Sequence, residues 1–405
     1  MFKKLFKKDK ELIPKKVESK VDDFWFTPVY HNDAISIVHD ACVVCVDGKK
    51  ERTIEEKVKF IHDKVKIGHE SILEHTNYIV LLSFVGNPDN LEALAEIMDC
   101  FKYLTVKVKQ YEVENEPFAN MEVLIGGSVR GYKHIIRTIY NYRNPIYQVI
   151  LDYIENYMPS CFFSDIIEDG TLYQNDFLDV YVDDDNSGKT IPEIADYKHK
   201  DYRAIMREGK EEGKTGIMLA FDNIMDISLR LNGKFTFYEL MDFAMVNTVF
   251  VNVSRSCSHQ LVRHRAGITQ LSQRYVEMDG QMILPCTLNE SQMKRCTYLL
   301  NDCNSLYKSL IEEGVKKEDA RYILPNACDT TVYMSFTFRN AIKAYVLRTG
   351  KGAQKEIKDA FKCLIPKDSE FRKCVDDYEG MKMTDYVKPR YEFEALLAAN
   401  STVTE

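Results

Sequence analysis

Residues 260–275 read Gln-Leu-Val-Arg-His-Arg-Ala-Gly-Ile-Thr-Gln-Leu-Ser-Gln-Arg-Tyr. This stretch places three arginines, Arg263, Arg265 and Arg274, close to His264 and Ser272. The arginine side chain presents a planar fork of N–H donors that binds phosphate or carboxylate in bidentate fashion. The stretch therefore predicts a pocket for a polyanionic ligand.

The charge of the whole chain narrows the class of that ligand. The 405 residues carry a formal net charge of -8, whereas a domain that binds nucleic acid is usually basic. A local cationic cluster in an acidic chain favours a small phosphorylated ligand, so we expect no nucleic-acid partner. The sequence has no apolar run of the length that a membrane span needs, so we expect no membrane partner either.

Cysteine usage indicates the compartment. The chain has 11 cysteines, an odd number at mostly irregular spacings, which is typical of reduced thiols in the cytoplasm. Cys42 and Cys45 form a Cys-x-x-Cys pair, but a zinc site needs a second pair or histidines at suitable spacing. We therefore predict no metal and a cytoplasmic location.

Three further motifs accompany the arginine-rich stretch. Residues 68–75 read Gly-His-Glu-Ser-Ile-Leu-Glu-His, residues 320–325 read Ala-Arg-Tyr-Ile-Leu-Pro, and residues 339–357 contain Arg339, Leu347-Arg348 and Ala353-Gln354-x-Glu356-Ile357. In their order, and in the ungapped spacing of the downstream ones, the four motifs resemble the signature of the flavin-dependent thymidylate synthases. The resemblance covers roughly residues 30–85 and 245–365.

The resemblance implies an activity. Flavin-dependent thymidylate synthases convert dUMP to dTMP by reductive methylation, with methylene-tetrahydrofolate as carbon donor and NADPH-reduced FAD as hydride source. It also implies a homotetramer whose active site lies between subunits. Two alternatives stay open: an altered relative that hydroxymethylates or otherwise modifies a pyrimidine nucleotide, and a non-catalytic nucleotide-binding protein.

The resemblance also assigns residues. For dUMP it implies Gln260, Arg263, Gln270, Ser272, Arg274, Arg321 and Arg348, with backbone N–H groups of residues 271–274 as further donors. For FAD it implies Ser71, Arg263, His264, Arg265, Gln270, Thr337, Arg339 and Lys343. Arg348 is the catalytic candidate, because a fixed cation beside the uracil ring stabilises the negative charge that develops during reaction at C5.

The sequence departs from the family pattern on the flavin side. Six residues separate Arg265 from Ser272 where the family usually has seven. Thr337 and Lys343 stand where asparagine is common, and Gly352 stands where histidine is common. The dUMP side is therefore well kept, and FAD affinity is either reduced or supplied differently, for example by an ionic contact from Lys343.

The fold expected from these patterns is α/β (α+β), a mixed sheet flanked by helices with an inserted, mostly α-helical subdomain. We expect an N-terminal extension at 1–30, a synthase-like domain at 31–86 and 246–370, an insertion at 87–245 of unassigned role, and a C-terminal extension at 371–405. Residue patterns predict helices at 51–66, 91–104, 133–153 and 235–247, strands at 77–85 and 121–125, and an exposed connection near 180–215.

Overall fold

A computed structural model describes residues 24–46, 52–98, 103–138, 143–168, 193–194, 207–208, 216–285 and 287–362. The chain divides into two compact units. Unit 1 comprises residues 1–32, 77–181 and 386–405, and unit 2 comprises residues 33–76 and 182–385. The connection near 180–215 and both chain ends lie largely outside the described residues.

The described elements follow one another along the chain as strands (β), α-helices (α) and three 3₁₀ helices. They are β1 (Phe24–His31), α1 (Ala34–Val46), α2 (Ile54–Lys66), the 3₁₀ helix Glu70–His75, β2 (Tyr78–Val85), α3 (Pro88–Ile97), β3 (Leu104–Tyr111), β4 (Asn120–Gly127), α4 (Val129–Thr138), α5 (Pro145–Tyr157), the 3₁₀ helix Ser160–Phe163, α6 (Ser164–Glu168), β5 (Glu193–Ile194), β6 (Arg207–Glu208), α7 (Gly216–Arg230), α8 (Phe237–Leu240), β7 (Met245–Ser254), α9 (Arg255–Leu261), β8 (Gly267–Gln270), α10 (Glu290–Glu312), α11 (Lys317–Ala320), the 3₁₀ helix Arg321–Ile323, β9 (Asp329–Thr337), α12 (Phe338–Thr349) and α13 (Lys355–Lys362).

Unit 1 is built on a four-stranded antiparallel sheet with the strand order β1-β2-β4-β3. Strand β2 is buried along nearly its whole length, which matches a sequence that is apolar except for Ser83. Two tyrosines of α4 and α5 hydrogen-bond to the backbone of β2. The hydroxyl of Tyr132 donates to the carbonyl of Tyr78 (3.2 Å), and the hydroxyl of Tyr153 donates to the carbonyl of Ile79 (3.4 Å). These buried hydroxyls are paired, as a buried Tyr requires.

The helix predicted at 133–153 is two helices. Helix α4 ends at Thr138, and Asn144 caps α5, because its Oδ1 accepts from the backbone N–H of Ile146 (3.0 Å) and Tyr147 (3.2 Å). Pro145 occupies the first turn of α5, where its fixed φ and missing N–H are tolerated. The apolar pattern continues across Asn144-Pro145 and therefore predicted a single helix, although this dipeptide is typical of a helix start.

The predicted insertion contains strands as well as helices. Strand β3 alternates Val106 and Val108 with Lys107 and Lys109 and pairs with β4 along its whole length, whereas the sequence pattern extended a helix to residue 104. Strand β2, expected at 77–85 in the synthase-like domain, pairs with β1 and β4 of unit 1.

Unit 2 contains a three-stranded antiparallel sheet with the order β7-β9-β8. Helix α9 begins directly after β7, and helix α12 begins directly after β9. The helix expected at 235–247 is much shorter: α8 starts at the capping box of Thr236 and Glu239, and the chain enters β7 at Met245. Helices and strands in both units confirm the α+β class. The expected mixed sheet is wrong for the described residues, because every strand pair among them is antiparallel.

His75 joins the upstream motif to this sheet. It is fully buried, its Nδ1 lies 2.8 Å from Ser335 Oγ, and its Nε2 lies 2.9 Å from Thr269 Oγ1. Because Ser335 Oγ donates to Asn247 Oδ1 (2.5 Å), the serine accepts from the imidazole and the threonine donates to it. Burial lowers the pKa of His75 to about 3, so a neutral histidine links β8 and β9.

Among the described residues, no helix has both the length and the apolar character needed to span a membrane.

Candidate functional site

Strand register brings the motifs of unit 2 together. Gly267 pairs with Ser335 near the end of β9, and Met245 pairs with Thr337. The segment 263–265 precedes β8, and the first residue of β8 pairs near the last residues of β9, which α12 follows directly. The side-chain amide of Asn340 there donates to the carbonyl of Arg265 (3.4 Å). The Arg-His-Arg segment and α12 therefore share one side of the site.

The catalytic candidate Arg348 is held by two residues of the arginine-rich stretch. Its Nε–H donates to Nε2 of His264 (2.8 Å), and its two terminal nitrogens donate to Oε1 (3.3 Å) and to the backbone carbonyl (3.0 Å) of Gln260. Burial and the neighbouring charge of Arg263 lower the pKa of Arg348, but an arginine stays protonated at neutral pH. The guanidinium is thus a fixed cation.

His264 acts here as an acceptor. Burial and the charge of Arg348 lower its pKa to about 4, and its ring packs against Phe361 (centroid distance 5.7 Å) and Phe336 (6.3 Å). Only a neutral imidazole carries the lone pair on Nε2 that Arg348 needs, so the proton resides on Nδ1. His264, expected to line the FAD site, thus also orients Arg348.

The Ala-Gln-x-Glu-Ile run contributes two contacts that the motif comparison did not assign. Gln260 Nε2 donates to Oε1 of Gln354. Both carboxylate oxygens of the buried Glu356 accept from Ser254, one from its backbone N–H (2.7 Å) and one from its hydroxyl (2.7 Å). Ser254 Oγ in turn accepts from the backbone N–H of Cys257 and caps α9. Glu356 therefore fixes the start of the helix that carries Gln260.

The flavin-side residues form a cationic cluster. Arg339 is 7% exposed, and its Nε–H lies 2.9 Å from each carboxylate oxygen of Asp242. One terminal nitrogen of Arg339 donates to the carbonyl of Tyr238. Burial lowers the pKa of Lys343, the charge of Asp242 opposes that shift, and the charges of Arg339 and Arg265 add to it. Arg265, Arg339, Lys343 and Asp242 are thus electrostatic neighbours, as three cations around one carboxylate.

Thr337, expected at the FAD site, caps a helix. Its Oγ1 accepts from the backbone N–H of Asn340 (3.3 Å) and caps α12. Ser71 lies in the 3₁₀ helix Glu70–His75, and its side chain is exposed. Of the eight residues expected on the flavin side, the structure thus places Thr337 in helix capping and Ser71 at the surface of the upstream motif.

The upstream motif packs against the arginine-rich stretch at two points. The rings of His69 and Tyr275 lie 6.4 Å apart in an edge-to-face arrangement. A Cβ on Gly267 would lie 2.8 Å from the carbonyl oxygen of Glu74, a distance that no side chain tolerates. Gly267 is therefore required for the close approach of these two backbones.

The nucleotide-side residues line the far end of β8. Gln270 Nε2 donates to Ser258 Oγ (2.9 Å) and to Thr330 Oγ1 (3.2 Å). The exposed Arg274 pairs with Glu318 (3.2 Å), and Arg321 Nε–H donates to the Glu318 carbonyl (3.1 Å). Arg274 and Arg321 therefore meet at the same glutamate.

Backbone donors are less available than the sequence suggested. The N–H of Leu271 donates to the carbonyl of Thr331 (2.9 Å) and that of Ser272 to the carbonyl of Cys45 (3.0 Å). The N–H of Arg274 lies 3.3 Å from Ser272 Oγ. The expectation that the N–H groups of residues 271–274 bind dUMP is wrong for these three, because the fold already uses them.

Arg255 is an electrostatic neighbour of Arg321 and of Asp329, and neither Arg255 nor Asp329 belongs to any of the four motifs. Burial lowers the pKa of Arg255, the charge of Arg321 adds to that shift, and Cys328 and Asp329 oppose it. Burial and Asp279 raise the pKa of Asp329 to about 7, and its Oδ1 is buried without a hydrogen-bond partner among the described residues. Arg255 follows the helix-capping Ser254, a position that alone signals no ligand.

Known proteins match this region of the chain. The model of the family described as thymidylate synthase complementing protein matches residues 192–367. The flavin-dependent thymidylate synthase of Geobacter sulfurreducens is 38% identical over 112 residues, which are 26% of this chain and 48% of the relative. That of Thermococcus onnurineus is 34% identical over 144 residues, 33% of this chain and 59% of the relative. The chain thus spans about half the length of the curated relatives it matches.

A solved structure is also similar. The thymidylate synthase X of Helicobacter pylori, crystallised with FAD and dUMP, is 22% identical, with 37% of this chain and 82% of that chain covered and a TM-score of 0.27. The family match and the curated relatives agree with the resemblance drawn from the motifs: residues 192–367 match the thymidylate synthase complementing protein family, and the chain is similar in part to flavin-dependent thymidylate synthases.

Proposed function

We propose that this protein is a flavin-dependent thymidylate synthase that converts dUMP to dTMP, with methylene-tetrahydrofolate as carbon donor and NADPH as reductant. The observation that carries the proposal is the fixed Arg348 guanidinium, which hydrogen-bonds to His264 and Gln260. Arg348 lies 84 positions after His264 and 88 positions after Gln260, so these hydrogen bonds join two separate motifs.

Arg348 provides the electrostatic part of the chemistry. C5 of uracil is a weak nucleophile, and its reaction places negative charge on the ring and its carbonyl oxygens. A preorganised cation at the ring edge stabilises that charge in a site from which water is excluded. His264 supports this role because a neutral acceptor orients the guanidinium without competing with the substrate for its charge.

A second group of residues binds the phosphate of dUMP. Arg263 is exposed beside Arg348, and Arg274 and Arg321 converge on Glu318. The Arg274–Glu318 pair is solvent-exposed, so it contributes about 0–1 kcal/mol and exchanges easily for a phosphate. The hydroxyl of Ser272 adds a neutral donor, and Gln260 and Gln270 contact the nucleotide from α9 and β8.

The flavin-side cluster fits the charge of FAD. Three cations, Arg265, Arg339 and Lys343, lie around the carboxylate of Asp242, so the cluster suits an anionic group. The diphosphate of FAD carries two negative charges, and cationic side chains bind such oxygens well. When bound and reduced by NADPH, the flavin supplies the hydride; the chain binds and orients it through this cluster with His264 and Ser71.

The family resemblance supports a homotetramer, and we propose that assembly in a cytoplasmic enzyme. Helix α10 exposes three large apolar side chains, Tyr298 (76%), Leu299 (64%) and Leu306 (46%). An exposed apolar face of this kind commonly marks an interaction surface. Purification of a stable, active monomer would contradict the tetramer.

The function is tested by the absorbance spectrum of the purified protein supplied with FAD. Under anaerobic conditions, NADPH bleaches the flavin band, and it does so faster with dUMP. If no flavin band persists after added FAD is removed, while dUMP still binds, the chain is a non-catalytic nucleotide-binding protein. The variant Arg348→Gln keeps the bleaching and loses the methylated product.

A further inference from the structure

Gln354 lies in the Ala-Gln-x-Glu-Ile run, and the proposed chemistry gives it no role. It directly precedes α13, and its backbone carbonyl accepts from the N–H of Lys358 (3.0 Å). Two positions later, the buried Glu356 is hydrogen-bonded to Ser254 (2.7 Å). The backbone of Gln354 is therefore held in place, although its side chain is exposed.

The Arg348 guanidinium determines which way the side-chain amide of Gln260 points. An arginine carries five N–H donors and no acceptor, so the amide atom that faces it is the oxygen. This oxygen, Oε1, lies 3.3 Å from a terminal nitrogen of Arg348. The NH2 group of Gln260 then points the other way and donates to Oε1 of Gln354.

Gln354 supplies an acceptor that only one orientation of this amide can use. Among the residues that the structure describes, Gln354 Oε1 is the one partner of Gln260 Nε2. If the amide were turned over, its NH2 group would face the cation, and Arg348 would lose the side-chain oxygen. The acceptor on Gln354 therefore favours the orientation that Arg348 needs.

Part of the Arg348 guanidinium is left for a ligand. His264 accepts from the Nε–H, and the side-chain and backbone oxygens of Gln260 each accept from one terminal nitrogen. Each terminal nitrogen keeps a second N–H, which has no partner within the described part of the chain. Because the guanidinium is planar and rigid, the contacts that hold its plane also set the direction of these two donors.

We propose that Gln354 is a positioning residue that fixes the amide orientation of Gln260 and, through it, the plane of the Arg348 guanidinium. This inference rests on the proposed function, because it assumes that Arg348 stabilises charge on the uracil ring. A preorganised donor stabilises developing charge best, so loss of Gln354 lowers kcat. Nucleotide affinity changes little, because the residues proposed to bind the phosphate are untouched.

The test compares Gln354→Leu, which is similar in size but has no acceptor, with Gln354→Glu, which keeps an oxygen at that position. Loss of one side-chain hydrogen bond lowers the kcat of dTMP formation about fivefold in the leucine variant. The Kd for dUMP, measured by calorimetry, stays within about twofold of the wild type, and so does the kcat of the glutamate variant. Gln281→Leu, the same substitution at another exposed side chain, keeps both values. A leucine variant with the wild-type kcat, or a glutamate variant that is equally impaired, would overturn the inference.

A double-mutant cycle shows whether Gln354 acts through Gln260. If it does, Gln260→Leu and Gln260→Leu/Gln354→Leu have the same kcat, within about 1.5-fold. A further loss of about fivefold in the double variant would mean that Gln354 acts independently, and the inference would fail.

A crystal structure of Gln354→Leu tests the same orientation without an activity measurement. We expect the Gln260 side chain to move away from the Arg348 guanidinium. A Gln260 side chain that keeps its contact with Arg348 would overturn the inference. A wild-type protein that binds dUMP and FAD but makes no dTMP would instead overturn the proposed function, and the crystal structure would still decide the role of Gln354.

Discussion

Replacing His264 by alanine tests how Arg348 is held. The substitution removes the acceptor of the 2.8 Å bond from Arg348 Nε–H, while both bonds to Gln260 remain. A hydrogen bond with a charged partner is worth about 1.5–3 kcal/mol. Because two of the three contacts persist, the lower part of that range, about 1.5–2 kcal/mol, applies. It corresponds to a fall of about 10- to 30-fold in kcat/KM for dUMP methylation.

The assay is the initial rate of dTMP formation with saturating FAD, compared with flavin binding measured separately. His259→Ala is the matched control, because His259 is exposed on the same helix α9. We expect the control to keep its activity. A His264→Ala protein that binds FAD normally and retains a kcat/KM within threefold of the wild type would refute the role of His264 as the orienting acceptor.

The pH profile gives an independent check of His264. Its folded pKa of about 4 lies below the ordinary value of 6.5, so the imidazole keeps its lone pair on Nε2 throughout the range from pH 5 to 8. The histidine then contributes no loss of activity as the pH falls through 6.5. An acid limb near pH 6.5 that disappears in His264→Asn would contradict this assignment.

Three further outcomes follow from the buried contacts. Glu356→Ala leaves the backbone N–H and the hydroxyl of Ser254 without acceptors, and each buried unsatisfied donor costs about 1–3 kcal/mol. The free energy of unfolding measured in urea therefore drops by about 2–6 kcal/mol. Glu356→Gln keeps one acceptor oxygen and loses less. Asp329 has a pKa of about 7 in the folded protein, above its value in the unfolded chain. Between pH 4 and 7 the folded state therefore keeps a proton that the unfolded state has released, and the stability of the fold falls as the pH rises. Asp329→Asn abolishes this pH dependence of the melting temperature, and an unchanged dependence in the variant would contradict the role of Asp329. Gly267→Ala drives a Cβ into the Glu74 carbonyl and lowers both the melting temperature and FAD affinity, whereas retention of both would show that the close approach is not required.

The sequence was sufficient for the parts of the site that short motifs encode. His264 of the first motif contacts Arg348 of the last, because the pairing of β8 with β9 brings the two segments together. Arg274 and Arg321 likewise meet at Glu318. The ligands of these residues stay predictions. Motif order suffices here because the short runs that carry these residues lie in or beside neighbouring elements: α9 and β8 for residues 260–275, and α12 and α13 for residues 339–357.

Contacts between segments that are distant in the chain could not be predicted from the sequence. Asp242 pairs with Arg339 across about 100 positions of chain, and an isolated aspartate after a short helix gives no periodic or motif signal. Strand β3 was hidden because alternating valine and lysine over eight residues competes with the helical pattern before it. The Asn144-Pro145 start of α5 was readable in principle, but the apolar spacing on both sides masked it.

The measurement that tests the central claim most directly is the mass of the nucleotide product. The purified protein is incubated with dUMP, methylene-tetrahydrofolate, NADPH and FAD. The nucleotide products are separated and their masses are measured by mass spectrometry, in parallel with the products of the Arg348→Gln variant. We predict dTMP from the wild type, none without FAD, and none from the variant. A product carrying a hydroxymethyl group, or unchanged dUMP from a protein that holds FAD, would contradict the synthase assignment.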